Sequence, residues 1–394
     1  MFRALKKYDF TLMITPILLS AFGIVMIYSA SMVTAVVIDD LESTYYFSKQ
    51  LNWFVFGFIF FMLVCFIPYK FYQKLIKPII LLSVLLLIAV LIFGETSHHA
   101  TRSLSLTSFF TIQPSEFVKL AVILYLASVY SKKQNYINEF SKGVLPPLIL
   151  TGIILVLIVL QPDIGTTAII FLITFIVIIS SGIRFKHILF LTMAGLILLA
   201  MIIPQMITDV RISRFTGAYQ PFAVPDDEGY HLIQSYIAIG TGGLTGEGLG
   251  QSVQKLGYLW GAHTDFIMSI IAEELGFLGV IIVIGMLATI VLRGFFIARK
   301  CKDSFGSLLA IGISSMIGIQ AFVNLGAISG ILPITGVPLP FISYGGSSLM
   351  VMLIAMGILN NIAKSVREEE QQERKQPQIT DENKIKHLYT HRGG

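Results

Sequence analysis

Cysteine is nearly absent, with Cys65 and Cys301 the only two in 394 residues. No disulfide framework can hold such a chain, and no Cys/His cluster has the spacing of a zinc module. Charge is scarce as well, because Asp, Glu, Lys and Arg together make up 13% of the chain, against about a quarter in soluble domains. A globule of this length would lack the polar surface that water requires. There is no Ser-His-Asp order and no H-E-x-x-H, so hydrolase and metalloprotease readings have no residues to stand on.

What fills the sequence instead is apolar: 55% hydrophobic residues and a mean hydropathy of +0.79. Runs long enough to cross about 30 Å of hydrocarbon recur along nearly the whole chain. They lie near 11–31, 51–67, 77–94, 114–131, 145–160, 167–182, 188–204, 266–297, 305–330 and 343–363. The runs are solidly apolar and do not alternate, which favours helices, whose backbone polar groups are paired within one segment. The fold class expected is therefore an all-α integral membrane protein of about ten transmembrane helices. A large extracytoplasmic loop, at about 205–265, separates helices seven and eight. Residues 1–10 form a short cytoplasmic N-terminus, 11–363 the membrane domain, and 364–394 a polar tail expected to be disordered. The first run is of spanning length and is not followed by a small-residue cleavage site, so it is expected to stay in the mature protein.

Charge sets the orientation. Lys6 and Lys7 precede the first span; Lys70, Lys74 and Lys77 follow the second, Lys132, Lys133 and Lys142 the fourth, and Arg184 and Lys186 the sixth. Arg293, Arg299, Lys300 and Lys302 follow the eighth span, and Lys364 and Arg367 the tenth. The alternate loops carry Asp39, Asp40, Glu42, Glu95, Asp226, Asp227 and Glu228. The positive-inside rule then places both termini in the cytoplasm of a multi-pass cytoplasmic-membrane protein. The net charge of +5 is largely this signal, and gives no reason to invoke nucleic acid.

The long outer loop contains Arg211 and Arg214, a glycine-rich stretch from Gly240 to Gly250, then Ser252, Gln254 and Lys255, and finally His263, Thr264 and Asp265. Its glycine spacing is neither the P-loop nor the dinucleotide fingerprint, so tight turns and close backbone packing explain it. Ionisable residues at membrane depth are better clues, since an unpaired charge there is costly. Glu116 and Lys119, three apart on one helix face, can pair with each other. Asp163 can cap the sixth span. Glu273 and Glu274 lie deeper in the eighth span and read as structural partners. Asp265 stands where the glycine-rich loop meets that span, a position open both to a helix cap and to an outward-facing polar site beside lipid.

The linear motifs go further. Gln113-Pro114-Ser115-Glu116, Gln161-Pro162-Asp163, His263-Thr264-Asp265-Phe266 and Glu273-Glu274-Leu275-Gly276 occur in that order, followed by a run from Pro333 to Ser348 that ends Pro340-Phe341-Ile342-Ser343-Tyr344-Gly345-Gly346-Ser347-Ser348. Over about residues 8–363 this pattern resembles the SEDS family of bacterial cell-shape, division and sporulation proteins, and is most like its division member. The resemblance implies a peptidoglycan glycosyltransferase that polymerises lipid II on the outer face of the cytoplasmic membrane in septal wall synthesis. It also implies a class B penicillin-binding protein and other divisome proteins as partners. On the matching motif, Asp265 becomes the catalytic carboxylate. Arg102, Glu116, Lys119, Asp163, Arg211, Arg214, Ser252, Gln254, Lys255, His263 and Ser343 are its substrate-binding candidates, with the cations facing the diphosphate. No dedicated metal cage is visible, which leaves a divalent cation as the one cofactor open. Leu104 and Trp260 depart from the family pattern, which has tryptophan after Arg-Ser at the first and reads Tyr-Leu-Pro-Glu around the second. A lipid II flippase and a noncatalytic scaffold for a penicillin-binding protein are the alternative functions.

Overall fold

A computed structural model describes residues 8–97, 100–105, 111–193, 195, 216–226 and 229–390. Nine helices occupy nine of the ten expected spans: α1 Phe10–Val33, α2 Tyr45–Phe66, α3 Ile76–Phe93, α4 Pro114–Lys132, α5 Leu145–Val159, α6 Ile164–Ser180, and, after a shorter α7 Tyr230–Thr241, α8 Ile267–Lys300, α9 Ser304–Ile328 and α10 Gly346–Thr390. Most of the span near 188–204 lies outside the described residues, as do Lys6, Lys7, Arg211, Arg214, Asp227 and Glu228. Seven of the described helices are long and apolar enough to cross a membrane. Of the other two, α4 buries an ion pair and α6 is 17 residues long. The chain is thus a multi-pass, helical membrane protein. Local signals start the helices: Asp9, Asp163 and Asp303 cap α1, α6 and α9 by accepting backbone N–H bonds, and Pro114 opens α4.

The most deeply buried helices are α9 and α10. The first packs on α4, α6 and α8, the second on α1 and α2. Apart from Phe322 of α9, they show no large apolar side chain exposed among the residues whose burial is described, whereas α8 presents Phe277, Leu278, Ile281, Ile282 and Leu292 outward, the surface expected of a helix that faces lipid. At the end of the bundle where α1 starts, Asp9 accepts from Arg293 of α8 (2.8 Å) and Arg367 of α10 (2.9 Å) while capping its own helix. This three-way clamp gathers the start of α1, the later turns of α8 and the middle of α10 at one face. The N-termini of α2, α4, α6, α8 and α10 consequently converge on the opposite face.

Three features go beyond the all-helical expectation. Between α3 and α4 the chain forms a small antiparallel sheet, β1 Glu95–Ser97, β2 Ala100–Ser105 and β3 Thr111–Ile112, in that order, with Glu95 opposite Ser103 and Leu104 opposite Ile112. Next, α10 continues to Thr390 where disorder was expected. Its outgoing turns are rich in Glu, Gln, Lys and Arg, good helix formers, and Glu370 and Glu373 pair with Lys300 and Lys302.

The third feature concerns α8, whose helical backbone breaks at Gly276 (φ 65°, ψ −164°). A break inside hydrocarbon must find new partners for the freed backbone groups. The glycine-rich loop supplies them: Glu247 and Gly248 donate to the carbonyls of Glu273 and Glu274 (2.9 and 3.0 Å), and Phe277 and Leu278 donate back to Gly243 and Leu244 (3.0 and 3.2 Å). Only glycine permits this approach, since a Cβ at Gly246 (φ +79°) would lie 2.2 Å from the Glu274 carbonyl oxygen. Gly246→Ala is expected to lower stability by more than about 1 kcal/mol, read by thermal unfolding in detergent. Gly250→Ala, also at positive φ but with open space around it, should lose less. Equal losses would assign the effect to φ alone and remove the splinting role.

Candidate active site

Where the helix N-termini converge, a cavity of about 310 Å3 opens. Each wall is supplied by the start of an element: Lys49 and Trp53 by α2, Arg102 by β2, Glu116 and Lys119 by α4, Asp163 by α6, Asp265 by the turn entering α8, and Gly345 to Ser348 by the loop and first residues of α10. Helix N-termini carry partial positive charge, so their convergence favours an anionic ligand.

Acidic and basic groups alternate around this cavity. The Lys119 ammonium lies 2.8 Å from Glu116 Oε1 and 2.7 Å from Gln320 Oε1, all three residues being buried. Glu116 Oε2 is buried without a hydrogen-bond partner among the described residues. Arg102 approaches Asp163 at 3.8 Å. Asp163 is also held by the amide nitrogen of Thr166 (3.2 Å) and the Gln113 side chain (3.5 Å), so its capping and cavity-lining roles coincide. Lys49 faces the cavity with no carboxylate at salt-bridge distance among the described residues and rests 4.4 Å from the Tyr45 ring centroid.

Asp265 is the one cavity carboxylate with no cation at salt-bridge distance among the described residues. Its Oδ1 accepts from the Thr264 hydroxyl (2.9 Å), and it makes no cap bond to α8, which begins after Phe266. Burial pushes its carboxyl above the ordinary carboxylate range, opposed by the Thr264 hydroxyl and, more weakly, by His231 and Arg102. Asn324 of α9 fixes the backbone here, because its amide donates to the carbonyls of both Asp265 and Val337 at 2.8 Å. One side chain thus clamps the Asp265 turn to the Pro333–Ser348 loop. That loop in turn rests on α1, where a Cβ at Gly23 would come within 2.7 Å of the Ile342 backbone.

Five of the sequence candidates stand away from the cavity wall together with their partners. Lys255 is buried in an ion pair with Glu274 (2.7 Å), shared with Ser29 (3.0 Å). Ser252 donates to Glu273, whose other carboxylate oxygen accepts from the Val253 amide (2.8 Å) and lies 3.4 Å from that of Gln254. The expectation that Ser252, Gln254 and Lys255 face substrate is corrected on this geometry: a buried carboxylate needs partners, and these residues are the partners. His263 packs between Tyr46 and Tyr344, with ring centroids at 4.4 and 5.6 Å, and burial pushes its imidazole down to about 4. Ser343 is likewise a turn residue, its hydroxyl accepting from the Leu339 amide (2.8 Å). Lys49, Gln320 and Asn324 were not among the sequence candidates. Only Lys49 carried a signal, as a cation on the flank of a span whose loop is otherwise acidic.

Fold and cavity together define a class: a polytopic membrane protein whose helix N-termini gather around a buried carboxylate and a set of cations. The cell cycle protein family of FtsW, RodA and SpoVE matches residues 10–368, and the chain belongs to it, as the SEDS motifs implied. It is 48% identical over 384 residues to the probable peptidoglycan glycosyltransferase FtsW of Bacillus subtilis, covering 95% of each chain. It is 39% identical over 363 residues to the stage V sporulation protein E of the same organism, covering 91% of this chain and 98% of the relative. Among solved structures, the rod shape determining protein RodA of Thermus thermophilus superposes with a TM-score of 0.65 at 27% identity, over 90% of this chain and 96% of that one. A chain from a structure of a peptidoglycan synthase complex that coordinates polymerization and crosslinking superposes at 0.73, also at 27% identity, over 91% and 98%.

Proposed function

We propose that this protein is a peptidoglycan glycosyltransferase that polymerises lipid II into β-1,4 glycan strands during septal wall synthesis. In this reading the Asp265 face is extracytoplasmic, both termini are cytoplasmic, and a class B penicillin-binding protein of the division machinery is its partner. The observation that carries it is the juxtaposition in one cavity of Asp265, unpaired and held above its ordinary pKa, with Lys49, Arg102 and Lys119. The relatives named glycosyltransferase and the structural likeness to a peptidoglycan synthase chain support the substrate and the partner.

The chemistry follows from that arrangement. Asp265 takes the proton from the acceptor sugar's 4-hydroxyl as its oxygen attacks the anomeric carbon of the diphosphate-linked donor. The bond from that carbon to the diphosphate oxygen breaks, and the electron pair leaves with the polyprenyl diphosphate. The proton passes from Asp265 to water. Going from an α-linked diphosphate to a β-linked sugar inverts the centre, so a single displacement suffices. Lys119, Arg102 and Lys49, with the helix N-termini behind them, stabilise charge building on the leaving diphosphate. Among the described residues no three metal-ligating side chains come together, and cations already engage Glu116 and Asp163. No step is therefore assigned to a metal.

The test is polymerisation of purified, labelled lipid II by the protein and its cognate penicillin-binding protein with the transpeptidase blocked. No polymer would reject the reading. To probe the leaving group, Lys119→Met is paired with Glu116→Gln so that no unpaired carboxylate is left buried. The double variant is expected to lose about 100-fold in turnover. Unchanged turnover in the folded double variant would reduce Lys119 to a structural partner.

A further inference from the structure

A second cavity, of about 350 Å3, is lined by Asp226, Tyr230, His231 and Trp260. It adjoins the first through the turn that carries Asp265: the His231 ring centroid lies 6.3 Å from that of Phe266 and 6.2 Å from that of Trp260. The cavity containing the cations meets this turn at Thr264 and Asp265, and the second cavity meets it at Trp260, so one turn borders both. Trp260 is 64% exposed, so its indole face is open beside this cavity.

We infer that the groove formed by Asp226, Tyr230, His231 and Trp260 is a saccharide subsite, seating a sugar ring of the growing glycan strand against the exposed face of the Trp260 indole. A pyranose offers an apolar C–H face and a rim of hydroxyl and acetamido groups. This groove answers with an aromatic plane and, around it, a carboxylate, a phenol and an imidazole that accept and donate hydrogen bonds. The carboxylate of Asp226 disfavours a phosphate or an anionic lipid headgroup. A tryptophan serving only to anchor the protein at the membrane interface would need no acid and imidazole beside it. The departure of Trp260 from the family pattern thereby becomes a feature of how this chain holds its strand.

The inference rests on the polymerase reading, and the experiment separates the two. Trp53 and Trp260 are the only tryptophans, so intrinsic fluorescence of the full-length protein in detergent is titrated with the β-1,4-linked tetramer of N-acetylglucosamine. A saturable change is expected in the wild type and in Asp265→Asn, and its loss in Trp260→Leu, which keeps an apolar group for the interface but removes the stacking plane. Trp260→Leu should also shorten the glycan strands made with the partner, and Trp260→Phe should restore their length. Apparent affinity for the tetramer should weaken roughly 3- to 10-fold in Asp226→Asn, on the scale of a single polar contact. No change in the wild type, or the same change in Trp260→Leu, would overturn the subsite, even where polymer is made normally. A Trp260-dependent change in a protein that makes no polymer would uphold saccharide binding and count against the polymerase reading alone.

Discussion

Asp265→Asn is expected to reduce lipid II polymerisation by about 10^2- to 10^4-fold, the range associated with a positioned general base, while leaving the fold intact. Asparagine matches the carboxylate in size and can still interact with the Thr264 hydroxyl, but it cannot take a proton at the moment of attack. The variant should therefore elute and melt like the wild type and bind lipid II. The pH dependence gives an independent check with a definite sign. A base must be deprotonated before it acts, and burial raises the pKa of the Asp265 carboxyl. Wild-type turnover should therefore fall as pH is lowered through a value above the ordinary carboxylate range, and the residual activity of Asp265→Asn should lack that limb. Equal polymer from wild type and variant would remove Asp265 from the base role. Polymer from neither would shift weight to lipid II transport or to a scaffold for the penicillin-binding protein.

The largest stability effect is expected at Lys255. Its ammonium and the Glu274 carboxylate are both almost completely buried and 2.7 Å apart, next to the broken turn of α8. Lys255→Met leaves the Glu274 charge with only the Ser29 hydroxyl (2.7 Å) among the described residues, and removing one partner of a buried pair costs about 3–5 kcal/mol. Pairing it with Glu274→Gln removes the stranded charge and should recover most of the loss. Thermal unfolding in detergent reads both. Polymer formed per folded molecule should stay near the wild-type level in the double variant, because neither side chain reaches the cavity. A fully stable Lys255→Met would contradict the buried-pair account, and a folded but inactive double variant would return Lys255 to the substrate.

The same pair marks the boundary of what could be read from residues alone. Lys255 looked like an outer-face cation because its neighbours in sequence are polar. Its partner lies 19 residues further along, across a chain reversal that no linear pattern specifies. His263 and Ser343 were misread for the same reason: they sit within the motifs but spend their polar or aromatic groups on packing and turns. Asn324 and Gln320 escaped notice because a single polar residue in an apolar run carries no directional information until a neighbour is known.

By contrast, the helical spans, the family and the conspicuous position of Asp265 were all legible in the sequence. The reason is physical: hydrocarbon demands long, uninterrupted apolar helices, and charge flanks them asymmetrically, so one-dimensional runs report the fold directly. The small sheet that carries Arg102, the glycine loop that splints α8 at Gly276, and the division of the charged residues between cavity and core were decided only in three dimensions. Each depends on which backbone or side-chain group meets which partner across the bundle, where desolvation leaves no polar group free to choose water instead.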